Sequence, residues 1–361
     1  MQTIPRDRFQ ELLAGHIGLI EHADGVQPVR LSSSEIHLYD GFNQLAASMT
    51  AGVRLRLVTN SRRLRIVMTQ RQAFLSEPGQ WRAYYDLYVN GRLLPHVTAT
   101  GGAYIGPTGV VQGDLQALLD FDDLPEGEKQ IELWLPSTAM VVISSIALDD
   151  GARWLPWPDE RVRIVFHGSS ITHGIEAGSP SATWPAVVAR LNEAQAINLG
   201  WAGSCLISGL AARLVRDQAA DLIVLELGIN VHQDGLLKER TFLSSVHSML
   251  SIIRERHPKT PVIVVSPIFC ESAENIAQSG GLTLERMREL LRQVVEVWAT
   301  SGDENISYLS GLELFSGDDK IDLPDGLHPN ADGNMRMGGR FHKAAVLALN
   351  QARLNRQRQV P

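Results

Sequence analysis

Cysteine is scarce in this chain, with only Cys205 and Cys270 among 361 residues. Two thiols cannot build a disulfide framework or a zinc cluster, so a reducing compartment is expected, although one bridge could form. An excess of basic charge is also missing. Lys and Arg number 33 against 40 Asp and Glu, a net charge of −7, which argues against a protein that tracks a phosphate backbone by charge. No run approaches the ~18 uncharged apolar residues of a membrane span. The N-terminus, MQTIPRDRFQELLAGHIGLI, is broken by Arg6, Asp7, Arg8 and Glu11 and shows no apolar core with a small-residue cleavage site. A cytoplasmic protein is expected, with neither nucleic acid nor membrane as partner.

What is present is a globular composition, 44% hydrophobic and 20% charged, which rules out wholesale disorder and coiled coil. At about 150 residues per domain the length predicts two domains. The first reads as β-structure. Residues 53–60 (VRLRLVTN) and 64–70 (LRIVMTQ) alternate apolar and polar across the short turn Ser61-Arg62-Arg63, the pattern of a hairpin. Further strands are predicted at 84–91, 129–136 and 139–148, with Asn90-Gly91 and Pro125-Glu126-Gly127 as turns. Many short strands with little helical period predict an all-β sandwich of jelly-roll type.

The pattern changes near DDGARWLPWPDER (149–161), which places the boundary between domains 1–155 and 156–361. Beyond it, apolar strands at 161–166, 195–200, 221–228, 261–268 and 306–311 alternate with helical stretches near 181–193, 207–217, 238–256 and 283–300. A last helix follows Pro329. Continuous Val/Ile/Leu strands interleaved with helices predict an α/β domain, a parallel sheet covered on both faces.

Ligands of such sheets bind beyond the carboxyl ends of the strands. There the sequence places HGSSITHG (167–174), WAGS (201–204), Gly228-Ile229-Asn230 and DGLHPN (325–330). A hydroxyl, glycine turns, an amide, a carboxylate and an imidazole thus converge on one rim. Acyl transfer is the chemistry that needs them together. The Ser170 hydroxyl becomes a nucleophile when His328 takes its proton, and Asp325 can hold the other ring nitrogen in the right tautomer. The oxyanion of the tetrahedral intermediate requires donors, for which the backbone N–H groups of Ser170 and Gly203 and the Asn230 amide are candidates.

The blocks GSSIT, NLGWAG, GIN and DGLH, in this order over roughly 160–350, resemble the SGNH/GDSL hydrolase superfamily. The resemblance implies a flavodoxin-like three-layer domain with Ser170 as nucleophile, Gly203 and Asn230 at the oxyanion, and Asp325 with His328 completing the triad. YYDLYVNG and IELWLP resemble the β-domain that precedes the catalytic domain in one subgroup, which includes esterases and natural-product acyltransferases. Two positions depart from the family pattern. The usual GDS is Gly168-Ser169-Ser170, and the usual GxND is GINV with Val231 in the place of Asp.

Each residue also has a plainer reading. Ser170 alone could cap the following helix, and Ser169 competes with it as nucleophile. Gly203 could be a turn glycine and Asn230 a loop-stabilising residue. His167, His173 and His232 lie near the rim without the spacing of a metal site, so no metal and no cofactor are expected. Trp201 is expected to pack in the core, with a wall of the acyl pocket as the alternative, and Cys205 and Cys270 are expected as small buried hydrophobes. The QSGG tract (278–281) lacks the Gly-Lys-Ser/Thr of a phosphate loop, and Thr172 breaks a GxSxG elbow. The expected activity is a serine esterase acting through an acyl-enzyme on a small acyl ester, a glycoside or natural-product ester among the candidates. An acyltransferase with an alcohol or sugar acceptor, and a carbohydrate-binding protein with a vestigial hydrolase domain, are the alternatives. Oligomeric state is not readable from the residues.

Overall fold

In the computed structural model, which describes residues 1–73, 83–106, 109–233 and 235–359, β-strands dominate the described residues up to Pro156, with helices Phe9–Leu12 and Gly41–Ser48 among them. The chain divides into two units, Met1–Glu160 with Gly178–Ser181, and Arg161–Ala177 with Ala182–Pro361.

The first unit holds two mainly antiparallel sheets. One is built around Leu64–Ala73, Val111–Phe121 and Ala139–Leu148, the other around Arg54–Thr59, Lys129–Trp134 and Tyr84–Val89. Leu64, Ile66 and Met68 from the first sheet share an apolar cluster with Leu55, Leu57, Leu87, Ile131 and Leu133 from the second. Two inner faces enclosing one core make a β-sandwich. Asn90 and Gly91 both take positive φ, 49° and 77°, and join Tyr84–Val89 to Arg92–Leu93 in a two-residue turn.

The expected hairpin between 53–60 and 64–70 does not form. Arg54–Thr59 pairs with Lys129–Trp134, whereas Leu64–Ala73 pairs with Ala139–Leu148 and Val111–Phe121 in the other sheet. The intervening turn is held by a carboxylate instead: Asp149 accepts hydrogen bonds from Ser61 Oγ and the N–H groups of Arg62 and Arg63 at 3.0, 2.9 and 3.1 Å. Local alternation sets which face a residue occupies, but not which strand lies beside it. The Trp- and Pro-rich segment packs on this unit. Trp154–Pro156 adds to the edge of Arg54–Thr59, and the Arg56 guanidinium lies 3.8 Å from the centre of the Trp157 ring.

The second unit is a five-stranded parallel sheet. In chain order its strands are Val162–Gly168, Ala194–Gly200, Leu222–Glu226, Val262–Val265 and Ile306–Leu309, and in space they run 2-1-3-4-5. That is the flavodoxin-like order, with its switch point at the first strand. The inner strands Leu222–Glu226 and Val262–Val265 are buried along their whole length, which explains their apolar runs. Helices Trp184–Leu191 and Ala331–Ala344 pack together, while Gly209–Arg216, Glu239–Arg254 and Leu284–Thr300 form a second group. Phe166 of the first strand meets Trp184 edge-on at 5.1 Å, and Trp184 meets Phe341 at 5.5 Å. These contacts fix the strand that leads to Ser170. Among the described residues no helix is long and apolar enough to cross a membrane.

Candidate active site

The first strand ends at Gly168, and Ser169 turns the chain into the short helix Ser170–His173. Ser169 is the N-cap, its Oγ accepting the Ile171 N–H at 3.1 Å. The capping role suggested for Ser170 therefore belongs to its neighbour, which leaves the Ser170 hydroxyl for other work. As first residue of the helix, Ser170 has no intrahelical acceptor for its N–H.

On the far side of the chain, Asp325 closes a tight loop by accepting the N–H groups of Leu327 and His328 on Oδ1, at 2.9 and 2.7 Å. Its Oδ2 lies 2.5 Å from His328 Nδ1. One carboxylate thus shapes the loop and orients the ring within it. Beyond the loop, Asn330 caps helix Ala331–Ala344 through Gly333 N–H at 2.9 Å. The Asn334 amide donates to the Pro329 carbonyl at 2.6 Å, while its oxygen accepts the Trp184 N–H at 3.0 Å.

These two segments, 158 residues apart in sequence, bring His328 Nε2 to 2.7 Å from Ser170 Oγ. A carboxylate beside Nδ1 requires the proton there, so Nε2 is bare and accepts from the Ser170 hydroxyl. Burial alone would raise the Asp325 carboxyl, but hydrogen bonds from the His328 ring, the His328 N–H and the Leu327 N–H prevail and hold it at about 2. It is an anion at any pH where the imidazole must be oriented.

Asn230 sits in the short helix Ile229–His232 after the third strand. Its Oδ1 accepts the Cys205 N–H at 3.1 Å, which fixes the carboxamide and turns its NH2 to the opposite side. Gly203 lies in the turn after the second strand with φ +71°, a conformation that favours glycine. Val231, where the family carries an acid, is fully buried.

The three rim histidines are engaged separately. His167 Nδ1 donates to the Leu199 carbonyl at 2.9 Å, His173 Nδ1 accepts the Ala202 N–H at 3.4 Å, and His232 Nε2 donates to the Ile276 carbonyl at 2.7 Å. Among the described residues no group of three or more His, Cys, Asp or Glu could hold a metal. Trp201 is buried edge-on against His167 at 5.2 Å, as core. Cys205 and Cys270 are buried free thiols.

The sequence reading passed over Glu226. This residue ends the third strand, 1% exposed. Its Oε2 accepts the N–H and the hydroxyl of Ser169, both at 2.7 Å, and the Thr172 hydroxyl at 3.2 Å. The signal was available: an acid between the apolar residues Leu225 and Leu227 of a doubly covered strand has no exposed face to occupy.

A hydroxyl, imidazole and carboxylate in hydrogen-bonded series at the strand ends of a 2-1-3-4-5 sheet suit nucleophilic acyl chemistry. The model of the GDSL-like Lipase/Acylhydrolase family matches residues 161–345. The chain belongs to that family. It is accordingly an enzyme of the esterase type. No curated protein matches. Among solved structures, the salicylyl-acyltransferase SsfX3 from a tetracycline biosynthetic pathway is 29% identical, with a TM-score of 0.84 over 94% of this chain and 96% of that one. A protein described as a GDSL-like lipase from Bacteroides ovatus is 21% identical, with a TM-score of 0.75 over 97% and 98%. A family two carbohydrate esterase from Clostridium thermocellum is 16% identical, with a TM-score of 0.64 over 92% and 99%. The latter two bear on the fold, and the likeness extends through the N-terminal β-sandwich as well as the GDSL-like domain.

Proposed function

We propose that this GDSL-like enzyme cleaves a small-molecule carboxylic ester through an acyl-enzyme on Ser170, with the chemistry carried by the α/β domain, residues 156–361. The observation that carries this reading is the series Ser170 Oγ, His328 Nε2, His328 Nδ1, Asp325 Oδ2, with contacts of 2.7 and 2.5 Å. Ser170 Oγ attacks the ester carbonyl while its proton passes to His328 Nε2. The oxyanion is stabilised by the N–H groups of Ser170 and Gly203 and by the Asn230 NH2. Collapse expels the alcohol, which takes the proton back from His328. Water then attacks the acyl-Ser170 by the same route in reverse order, with His328 as base. The intact series argues against a vestigial, carbohydrate-binding role.

A second reading is favoured by the 29% identity to a salicylyl-acyltransferase along nearly the whole chain. Here an alcohol or sugar hydroxyl replaces water in the second half-reaction, and the acyl-enzyme is unchanged. The buried free thiols Cys205 and Cys270 fit a reducing compartment, supporting a cytoplasmic enzyme. The experiment is a panel of acyl donors, aromatic and aliphatic, incubated with and without polyol, sugar and phenolic acceptors, with products identified by mass. Free acid as sole product supports hydrolysis, and an acylated acceptor supports transfer. No turnover of any ester, together with no covalent adduct from a fluorophosphonate, would remove both readings.

A further inference from the structure

Glu226 is an expensive residue at its position, because a carboxylate removed from water must recover its hydration from hydrogen bonds. Burial pushes it up to about 6, opposed by the N–H and hydroxyl of Ser169 and the Thr172 hydroxyl. All three hydrogen bonds fall on Oε2, while the buried Oε1 has no partner among the described residues. The donors are not scattered. They flank Ser170 on both sides, at the N-cap of its helix and two residues beyond it.

The local geometry is built to let this carboxylate in. A Cβ on Gly168 would come within 2.6 Å of Glu226 Oε2 and 2.4 Å of Thr172 Oγ1, so a side chain at 168 would displace both partners. Ser169 Oγ donates to Glu226 and accepts from Ile171 N–H at once, so its hydroxyl has no rotational freedom left. A positioned carboxylate thereby fixes the residue before the nucleophile and, through Thr172, the turn after it.

We propose that Glu226 is a positioning residue for Ser170: from the neighbouring strand, it supplies beside the nucleophile the carboxylate that Gly168-Ser169-Ser170 lacks, and through Ser169 and Thr172 it holds Ser170 Oγ on His328 Nε2. This rests on the assignment of Ser170 as nucleophile. Reaction at a serine is sensitive to placement, and a misplacement of about 1 Å can cost ~10²-fold in rate. The titratable groups around Glu226 are the Cys205 thiol, 3.7 Å from the Glu226 carbonyl, His167, 3.6 Å from that thiol, and His328 across Ser170.

The test uses the full-length protein and whichever ester the donor panel identifies. Glu226→Gln keeps the shape and removes the charge. It is expected to lower kcat by about 10-fold or more while KM stays within about twofold, because the substrate does not touch this residue and only the approach of Oγ is disturbed. Ser169→Asp placed in the Glu226→Gln background restores a carboxylate on the other side of the same contact and should recover part of the loss in kcat. A kcat within twofold of wild type in Glu226→Gln, a loss confined to KM, or a folded double variant no faster than the single one would overturn the proposal. Should Glu226→Gln not fold, Ser169→Ala and Thr172→Val each remove one donor. Lowered kcat at unchanged KM in both supports the role, and wild-type kcat in both rejects it. Fluorophosphonate labelling of the wild type keeps the two readings apart: absence of an adduct at Ser170 fails the nucleophile assignment, whereas an adduct at Ser170 with an unaffected Glu226→Gln fails this inference alone.

Discussion

Ser170 and Ser169 are adjacent in sequence and point to different partners. The first hydroxyl donates to His328 Nε2 at 2.7 Å, the second to Glu226 Oε2 at 2.7 Å. Ser170→Ala is therefore expected to abolish ester turnover and leave the thermal midpoint nearly unchanged. Ser169→Ala removes a cap and a support but no attacking atom, so a reduced, measurable kcat should remain. Steady-state kinetics with peptide mapping of a fluorophosphonate adduct checks both. A dead Ser169 variant beside an active Ser170 variant would reverse the roles.

Asn230→Ala should lower kcat by ~10²-fold or more, about 3 kcal/mol, with KM little changed, since the oxyanion exists only in the transition state. The Cys205 N–H would lose its acceptor as well. Asn230→Asp keeps that acceptor while placing negative charge at the oxyanion, and should be at least as slow. An effect confined to KM would make Asn230 a substrate-binding residue.

Asp325→Asn should reduce kcat by on the order of 10³ to 10⁴, because an amide that donates to Nδ1 selects the wrong tautomer of His328. The Asp325 carboxyl is held at about 2, below its ordinary value, so its contribution to stability is present above the ordinary carboxylate range and lost as pH falls through about 2. Any acid limb in kcat/KM above pH 4 consequently belongs to another group. Rate profiles from pH 4 to 9 test this.

Glu226 has the opposite sign. Its folded value of about 6 lies above the ordinary 4.5, so the native state holds the proton more tightly than the unfolded chain does. The stability this confers is complete below pH 4.5 and is lost as pH rises through 6, a total of about 2 kcal/mol. The stability of wild type minus that of Glu226→Gln should fall by roughly this amount between pH 4.5 and 7. Urea unfolding of the two proteins across that range measures it, and a flat or rising difference would contradict the buried-carboxylate assignment.

The candidate residues were readable because strand ends in a parallel sheet are a short list of places: Ser170, Gly203 and Asn230 follow the first three strands, and the Asp325–His328 loop comes after the last. The parallel strands were readable because burial on both faces leaves apolar runs such as LIVL (222–225). Glu226 was hidden at the end of that same strand: its acid was read as strand, though no face there meets solvent. The hairpin failed for a different reason. Residues 54–59 and 64–73 do alternate, yet each finds its neighbours at positions as distant as 129–134 and 139–148, and pairing at that separation leaves no trace in a local window. Ser169 as N-cap was out of reach to within one residue, since two adjacent serines satisfy the same capping preference.

On the proposed roles of Ser170 and His328, their separation along the chain makes enzymatic activity a late signal in folding. Ser170, the proposed nucleophile, stands after the first parallel strand, and His328, its proposed base, arrives only after the fifth, 158 residues on. A chain emerging from synthesis can complete four strands and still carry a serine with no base. Contacts of such separation close after local ones have formed, so regained ester turnover should lag behind regained helical circular dichroism during refolding. On the proposed roles the enzyme reports its own completion, and a fragment ending before Asp325 is expected to be silent however well its sheet has formed.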